Sequence, residues 1–185
     1  MKNKKYILSA EVANKKLRRM ALQVVEQNYN ESQLILIGIK KSGTVIAEKI
    51  HQYLKEVFGG DIIVLELTID KKKPAAITLS AAIDLNDKTI LLVDDVANSG
   101  RTMLYALKPL LEQLPKKIQT LALVERTHKT FPVEVDYVGL SVSTTTDEHI
   151  YVEVENGEVT GAWMDWVFDL TPTLSKGEGG RAQFF

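Results

Sequence analysis

The feature that most narrows the fold is a set of short apolar runs that do not alternate with polar residues. They read "LILIGI" at 34–39, "TILLV" at 89–93 and, less purely, "IQTLALV" at 118–124. A strand with one wet face alternates; uninterrupted runs belong to strands covered on both faces, as in parallel sheets flanked by helices. Helical periodicity fills the intervals. Leu17, Met20, Ala21, Val24 and Val25 recur at helical spacing between Ala10 and Asn28. A second helix, which Ser42 can cap, presents Ile46, Ile50, Tyr53, Leu54 and Val57 before Gly59-Gly60 ends it. "DIIVLELTI" (61–69) reads as another strand, and a helix after Arg101 uses Leu104, Leu107, Leu110 and Leu111. "VDYVGL" (135–140) completes an expected α/β fold: a central five-stranded, mostly parallel sheet with helices on both faces. From Ile150 the pattern alternates around Asn156-Gly157, a two-residue hairpin signal. The polar, proline-containing stretch from Asp70 to Ser80 shows no period and reads as a mobile loop. With no internal repeat and no linker, residues 1–185 are expected to form one domain, ending in a tail, 171–185, poor in core residues.

Chemistry concentrates where the run at 89–93 ends, in "ILLVDDVANSGRTM" (90–103). Ligands of open parallel sheets bind beyond the carboxyl ends of the strands, and Asp94 and Asp95 stand at such an end. Adjacent strand residues point to opposite faces, so the two carboxylates can reach different groups of one ligand. Sugar hydroxyls and magnesium-bound water are suitable donors to them. The small-residue loop Ala97–Thr102 leads into a helix, where successive N–H groups can wrap an anion. A phosphate on one side and a diol on the other describe a phosphorylated sugar. Taken singly, an Asp-Asp strand end is also a plain polar exit and a Ser-Gly loop a plain turn; the ordered string is far more specific. It is not a nucleoside-triphosphate P-loop, which needs an earlier glycine and a Gly-Lys-Ser/Thr ending.

Composition removes other classes. The chain has no cysteine, which excludes disulfides, thiolate zinc sites and cysteine nucleophiles. No run approaches the ~18 apolar residues of a membrane helix, and "YIL" is too short for a secretory leader, so the expected location is cytoplasmic, with no membrane partner. His51, His128 and His149 have no partners at metal-ligand spacing. Charge is unevenly spread: residues 1–60 hold eleven Lys/Arg against five Asp/Glu, while 131–170 hold nine Asp/Glu and no Lys/Arg. This describes either solvated faces or an anion-attracting N-terminal half, with Lys15, Lys16, Arg18 and Arg19 as a basic cluster.

"LLVDDVANSGRTM" resembles the 5-phosphoribosyl-1-pyrophosphate (PRPP) signature of type I phosphoribosyltransferases. "ILSAEVANKKLRRMA", "LILIGIKKSGTVIAEKI" and "TLALVERTHKTFPVEVDYVGL" resemble, in that order, the bifunctional pyrimidine operon attenuation regulator/uracil phosphoribosyltransferase subfamily. The resemblance spans roughly residues 7–154. It implies the type I fold with a small hood, built from the N-terminal and 137–170 segments, and the reaction of uracil with PRPP to give UMP and pyrophosphate. Asp94 and Asp95, as catalytic residues, would bind the ribose hydroxyls and, through water, Mg2+. The loop Ala97, Asn98, Ser99, Gly100, Arg101 and Thr102 would hold the 5-phosphate, Val96 would also contact PRPP, and Lys40, Lys41, Ser42 and Gly43 would receive the pyrophosphate. Tyr137–Thr145 would form part of the hood, with Arg126, Tyr137 and Val138 as candidate base contacts. The loop Asp70–Ser80 would be the lid, although its Lys71–Lys73 stand where the subfamily leads one to expect arginine. A homodimer or larger assembly and an mRNA leader as partner are further implications. Purine salvage and nucleotide binding without turnover are the alternatives, the first disfavoured because Asn98 is not the acid that purine enzymes of this kind carry there.

Overall fold

The apolar runs and the helices between them assemble into two sheets. The computed structural model describes residues 3–70, 76–144 and 148–166. In chain order, β1 (Asn3–Ser9) enters α1 (Ala10–Asn28), β2 (Gln33–Ile39) enters α2 (Ser42–Leu54), and β3 (Asp61–Ile69) precedes β4 (Ile77–Leu79). Next, β5 (Thr89–Ala97) enters α3 (Arg101–Leu107) and a 3-10 turn, Lys108–Leu110. Then come β6 (Lys117–Arg126), β7 (Tyr137–Val142), β8 (Ile150–Glu155) and β9 (Glu158–Trp166).

The larger sheet has the order β4-β3-β2-β5-β6-β7. Its strands from β3 to β7 run parallel, as expected, while β4 adds a sixth strand antiparallel to β3. That short strand lies inside the stretch expected to be loop; three residues are too few to show a period, and only their pairing with Leu67–Ile69 reveals them. Leu34–Ile37, Ile39 and Ile90–Val93 are all at most 1% exposed, so these strands are covered on both faces. On one face Leu17, Met20 and Val24 of α1 and Ile46 and Ile50 of α2 pack against Leu36, Leu91 and Leu121. On the other, Met103, Ala106 and Leu110 meet Ile35, Ile37, Ile90 and Leu92. Each of the Leu, Ile, Val and Met side chains contributes about 1.5–3 kcal/mol on burial.

The smaller sheet has the order β1-β9-β8, all antiparallel. Asn156 (φ 51°) and Gly157 (φ 79°) turn its hairpin in the left-handed conformation that the sequence signal requires. An ion pair from the nearly buried Lys49 of α2 to Glu158 ties that hairpin to the helix layer.

Several local expectations are corrected. The hydroxyl of Ser9 accepts a hydrogen bond from the Val12 N–H at 3.3 Å and caps α1. Ser42 is not a cap: Lys41 holds that position and makes no side-chain capping bond. Helix α2 stops at Leu54, well before Gly59-Gly60, which leaves Val57 46% exposed. Helix α3 gives way to a 3-10 turn at Lys108-Pro109, where proline supplies no N–H, so its inner stripe is Met103, Ala106 and Leu110. Leu111 is 62% exposed, and Leu104 and Leu107 are half-buried. Finally, Tyr137–Val142 is an edge strand of the central sheet; β1, β8 and β9 form the small one.

Candidate active site

The strand order places a topological switch between β2 and β5. From β2 the chain moves through α2 to β3 on one side; from β5 it moves through α3 to β6 on the other. The loops leaving these two neighbours diverge and leave a crevice between them. Lys40–Gly43 forms one wall and Asp94–Thr102 the other.

Gly43 sets how closely the walls approach. A Cβ on this residue would lie 2.8 Å from the Val93 carbonyl oxygen, 3.1 Å from Asp94 Cα and 3.4 Å from Asp94 Oδ1. Only a glycine lets the start of α2 rest directly on the backbone that carries the acid pair. The preceding loop has a cis peptide between Lys40 and Lys41, and the Lys40 N–H donates to the Leu67 carbonyl at 2.9 Å. Asp94 is 2% exposed, and its Oδ1 accepts the Asp95 N–H at 2.9 Å. Gly100, at φ 79°, turns the chain into α3. Behind it the Ser99 carbonyl accepts N–H bonds from Thr130 (3.2 Å) and Phe131 (3.0 Å), so the loop after β6 braces the small-residue loop from outside.

Three cavities open along the crevice and share walls. The smallest, about 120 Å³, is lined by Asp94, Val96, Ala97, Asn98, Ser99, Gly100, Thr102 and Met103. A second, about 300 Å³, lies between Ser42, Asp95, Val96 and Asn98 and the hairpin residues Ile150, Tyr151 and Val152. A third, about 440 Å³, is lined by Lys40, Lys41, Ser42, Thr68 and Ile69. Val96 and Asn98 are common to the first two and Ser42 to the last two. The trough therefore has three arms: a small-residue loop, a hairpin-covered space and a lysine loop. Asp94 lines the first arm and Asp95 the second.

Not every expected residue joins this trough. Arg101 turns outward, its guanidinium 5.8 Å from the Tyr105 ring centroid. Half-buried Arg126 ends β6 and lines none of the three cavities. Tyr137 is core: it is 1% exposed, and its hydroxyl donates to Gln27 Oε1 at 3.0 Å. Burial raises its pKa above the ordinary phenol value, opposed by hydrogen bonds with Asn28 and Gln119. Val138 lies on the same edge strand, and its carbonyl accepts from Arg19 at 2.6 Å. Lys71–Lys73 lie outside the described residues. Sequence reasoning missed Thr68, Ile69, Ile150, Tyr151 and Val152. Alternation identified the hairpin as a strand pair, but nothing local says which loop it covers.

The basic cluster on α1 is partly committed inside the molecule. Lys15 pairs with Glu11 at 2.6 Å, and Lys16 and Arg19 donate to backbone carbonyls of β7. Among the described residues no three His, Cys, Asp or Glu side chains gather as a metal site, and no helix is long and apolar enough to cross a membrane.

A family profile described as phosphoribosyl transferase domain matches residues 5–156. Bifunctional protein PyrR of Enterococcus faecalis is 32% identical over 161 residues, covering 82% of this chain and 90% of its own. PyrR of Ligilactobacillus salivarius is 33% identical over 169 residues, covering 85% and 94%. Among solved structures, a hypoxanthine-guanine phosphoribosyltransferase from Bacillus anthracis superposes with a TM-score of 0.68 at 17% identity, covering 86% of this chain and 99% of that one. The hypoxanthine phosphoribosyltransferase of Trypanosoma cruzi gives 0.67 at 15% identity, over 75% and 82%. At such identities these two share the fold with this chain and nothing finer.

Proposed function

The chain belongs to the phosphoribosyltransferase family, as a type I enzyme with bifunctional PyrR proteins among its relatives, and from that premise we propose that it joins uracil to PRPP, releasing UMP and pyrophosphate. The observation that carries this reading is the three-armed trough at the switch point, where Gly43 lets the lysine loop lie against the acid pair. PRPP has three groups to place around one ribose, and the arms match them in kind. The 5-phosphate goes to Val96–Thr102, the pyrophosphate to Lys40–Gly43, and the base to the space under Ile150, Tyr151 and Val152. In this reading Tyr151 and its neighbours replace Tyr137 and Val138 as base contacts.

In the reaction the C1–pyrophosphate oxygen bond breaks, the bond from C1 to uracil N1 forms, and the N1 proton is lost. The transition state is a ribosyl oxocarbenium ion, which asks the protein for alignment and charge stabilisation more than for covalent chemistry. Asp94, held by the Asp95 N–H, and Asp95 orient the two ribose hydroxyls. Lys40, Lys41 and the first N–H groups of α2 take the growing charge on the leaving group. The donor set also suits Mg2+. Two carboxylates at the crevice, with no group of three such ligands among the described residues, fit a metal held mainly by substrate oxygens and water. When bound, Mg2+ neutralises pyrophosphate; Asp94 and Asp95 would hold it through water.

A base panel tests the reading: the protein, PRPP, Mg2+ and uracil, hypoxanthine, guanine or xanthine in turn, read by pyrophosphate release. Uracil-dependent release is the expected result, abolished in the D94N/D95N double variant with its melting transition preserved. Release with a purine alone, or full activity in that variant, refutes the assignment. Asn98 counts against a purine, since purine enzymes of this kind carry an acid at that position. A cytoplasmic setting, a homodimer or larger assembly, and nucleotide-responsive binding of an mRNA leader belong to the same proposal and rest on the resemblance to PyrR proteins.

A further inference from the structure

One acid stands where an anion site should have none. Glu66 lies on β3, opposite Gly38 of β2, beside the lysine loop. Its Oε1 pairs with the Lys40 ammonium at 3.2 Å, and its Oε2 accepts the Thr44 hydroxyl at 3.0 Å in the first turn of α2. Its backbone joins the end of the β3–β4 hairpin: the Glu66 N–H donates to Ser80 Oγ at 3.0 Å and the Ser80 N–H to the Glu66 carbonyl at 2.8 Å. The carboxylate thus touches the cation and the helix turn that together would receive pyrophosphate. It is 31% exposed and Lys40 is 47% exposed, so water and an incoming anion can reach the pair.

We propose that Glu66 is a positioning residue that acts through Lys40, occupying the ammonium in the absence of ligand and competing with pyrophosphate for it. The inference rests on the reading of Lys40–Gly43 as the pyrophosphate loop. Pyrophosphate must displace a carboxylate to take the lysine, and that carboxylate reclaims it as the product leaves. The loop then grips the leaving group less tightly than its two lysines would by themselves, which keeps product from clogging the site. The ion pair is partly solvated, so its effect is that of a surface pair, about two- to fivefold in a binding constant.

The test is titration of inorganic pyrophosphate with Mg2+ into the full chain by calorimetry. E66Q keeps an acceptor for Thr44 and removes the charge; it is expected to bind pyrophosphate about two- to fivefold tighter than wild type, with a matching fall in KM for PRPP and no rise in kcat. T44V breaks the Glu66–Thr44 bond without touching charge and, unlike E66Q, is expected not to tighten binding. In a K40M background the E66Q effect should disappear. Unchanged or weaker binding in E66Q overturns the proposal, as does a T44V effect of the same size, which would assign the role to helix placement. If E66Q fails to fold, E66D, which withdraws the carboxylate by one methylene, must tighten binding in the same direction by less, and no tightening refutes the idea. Absence of pyrophosphate binding by the wild type overturns the reading of the loop itself, and the role of Glu66 with it.

Discussion

Substituting Gly43 by alanine isolates the contact on which the trough depends. The new methyl would lie 2.8 Å from the Val93 carbonyl oxygen and 3.1 Å from Asp94 Cα. Both are backbone atoms, so no rotamer change relieves the overlap, and either α2 or the end of β5 must move. Overpacking of this kind costs about 1–3 kcal/mol. Alanine's better helix propensity returns up to ~1 kcal/mol. A net loss of about 1–2 kcal/mol corresponds, for a chain of this size, to a drop in Tm of roughly 2–8 °C. The kinetic effect should be larger than the thermal one, because the displaced parts are the lysine loop and Asp94. Misplacement of reacting groups by about 1 Å can cost on the order of 100-fold in rate. A melting curve and a pyrophosphate-release assay on the same preparation measure both. Gly59→Ala is the control, since a Cβ there meets nothing within 4 Å. If G43A melts and turns over like wild type, the close approach of α2 to β5 does not organise the site.

Tyr137→Phe separates the core role of that ring from a role in base binding. Loss of the bond to Gln27 should destabilise by about 0.5–1.5 kcal/mol and leave KM for the base unchanged; a tenfold change in that KM would return Tyr137 to the site. Glu31→Gln probes pH dependence: the Lys116 ammonium, 3.0 Å away, holds the Glu31 carboxyl below its ordinary value of 4.5. A depressed carboxylate stabilises the fold above its unfolded pKa and loses that contribution as pH falls through the folded one. The wild type should therefore exceed E31Q by less than about 1 kcal/mol at pH 7 and the gap should narrow below pH 4.5 in urea titrations; a widening gap contradicts the sign.

Local chemistry was enough for the acid pair and its loop. "LLVDDVANSGRTM" states its own strand, its own turn and its own helix start, because a buried run must end before two carboxylates and Gly100 can take a left-handed φ. The lysine loop was legible for the same reason, as a strand end followed by a helix start. The third helix was misread because its four leucines form a stripe, yet Pro109 and the direction of entry from Gly100 bury Met103 and Ala106 instead. Tyr137 was misassigned because a strand can end near a site while its first residue lies deep in the core.

From its own residues, then, the chain determines alternating helices and doubly covered strands, and with them a parallel sheet and a small-residue turn beside two acids. Those outcomes follow from periodicity and from backbone groups within a few positions of one another. Only the tertiary structure decided which loops face each other. Sheet order sets β2 beside β5, packing sets Gly43 on Asp94, and the hairpin tied down by Lys49 brings Ile150–Val152 to the cavity that Asp95 also lines. The pairing of Glu66 with Lys40 belongs to the same class, since residues 26 positions apart meet only because β3 joins the edge of β2. Contacts between distant segments depend on how whole layers bury apolar surface, and no window of sequence contains both sides of that choice.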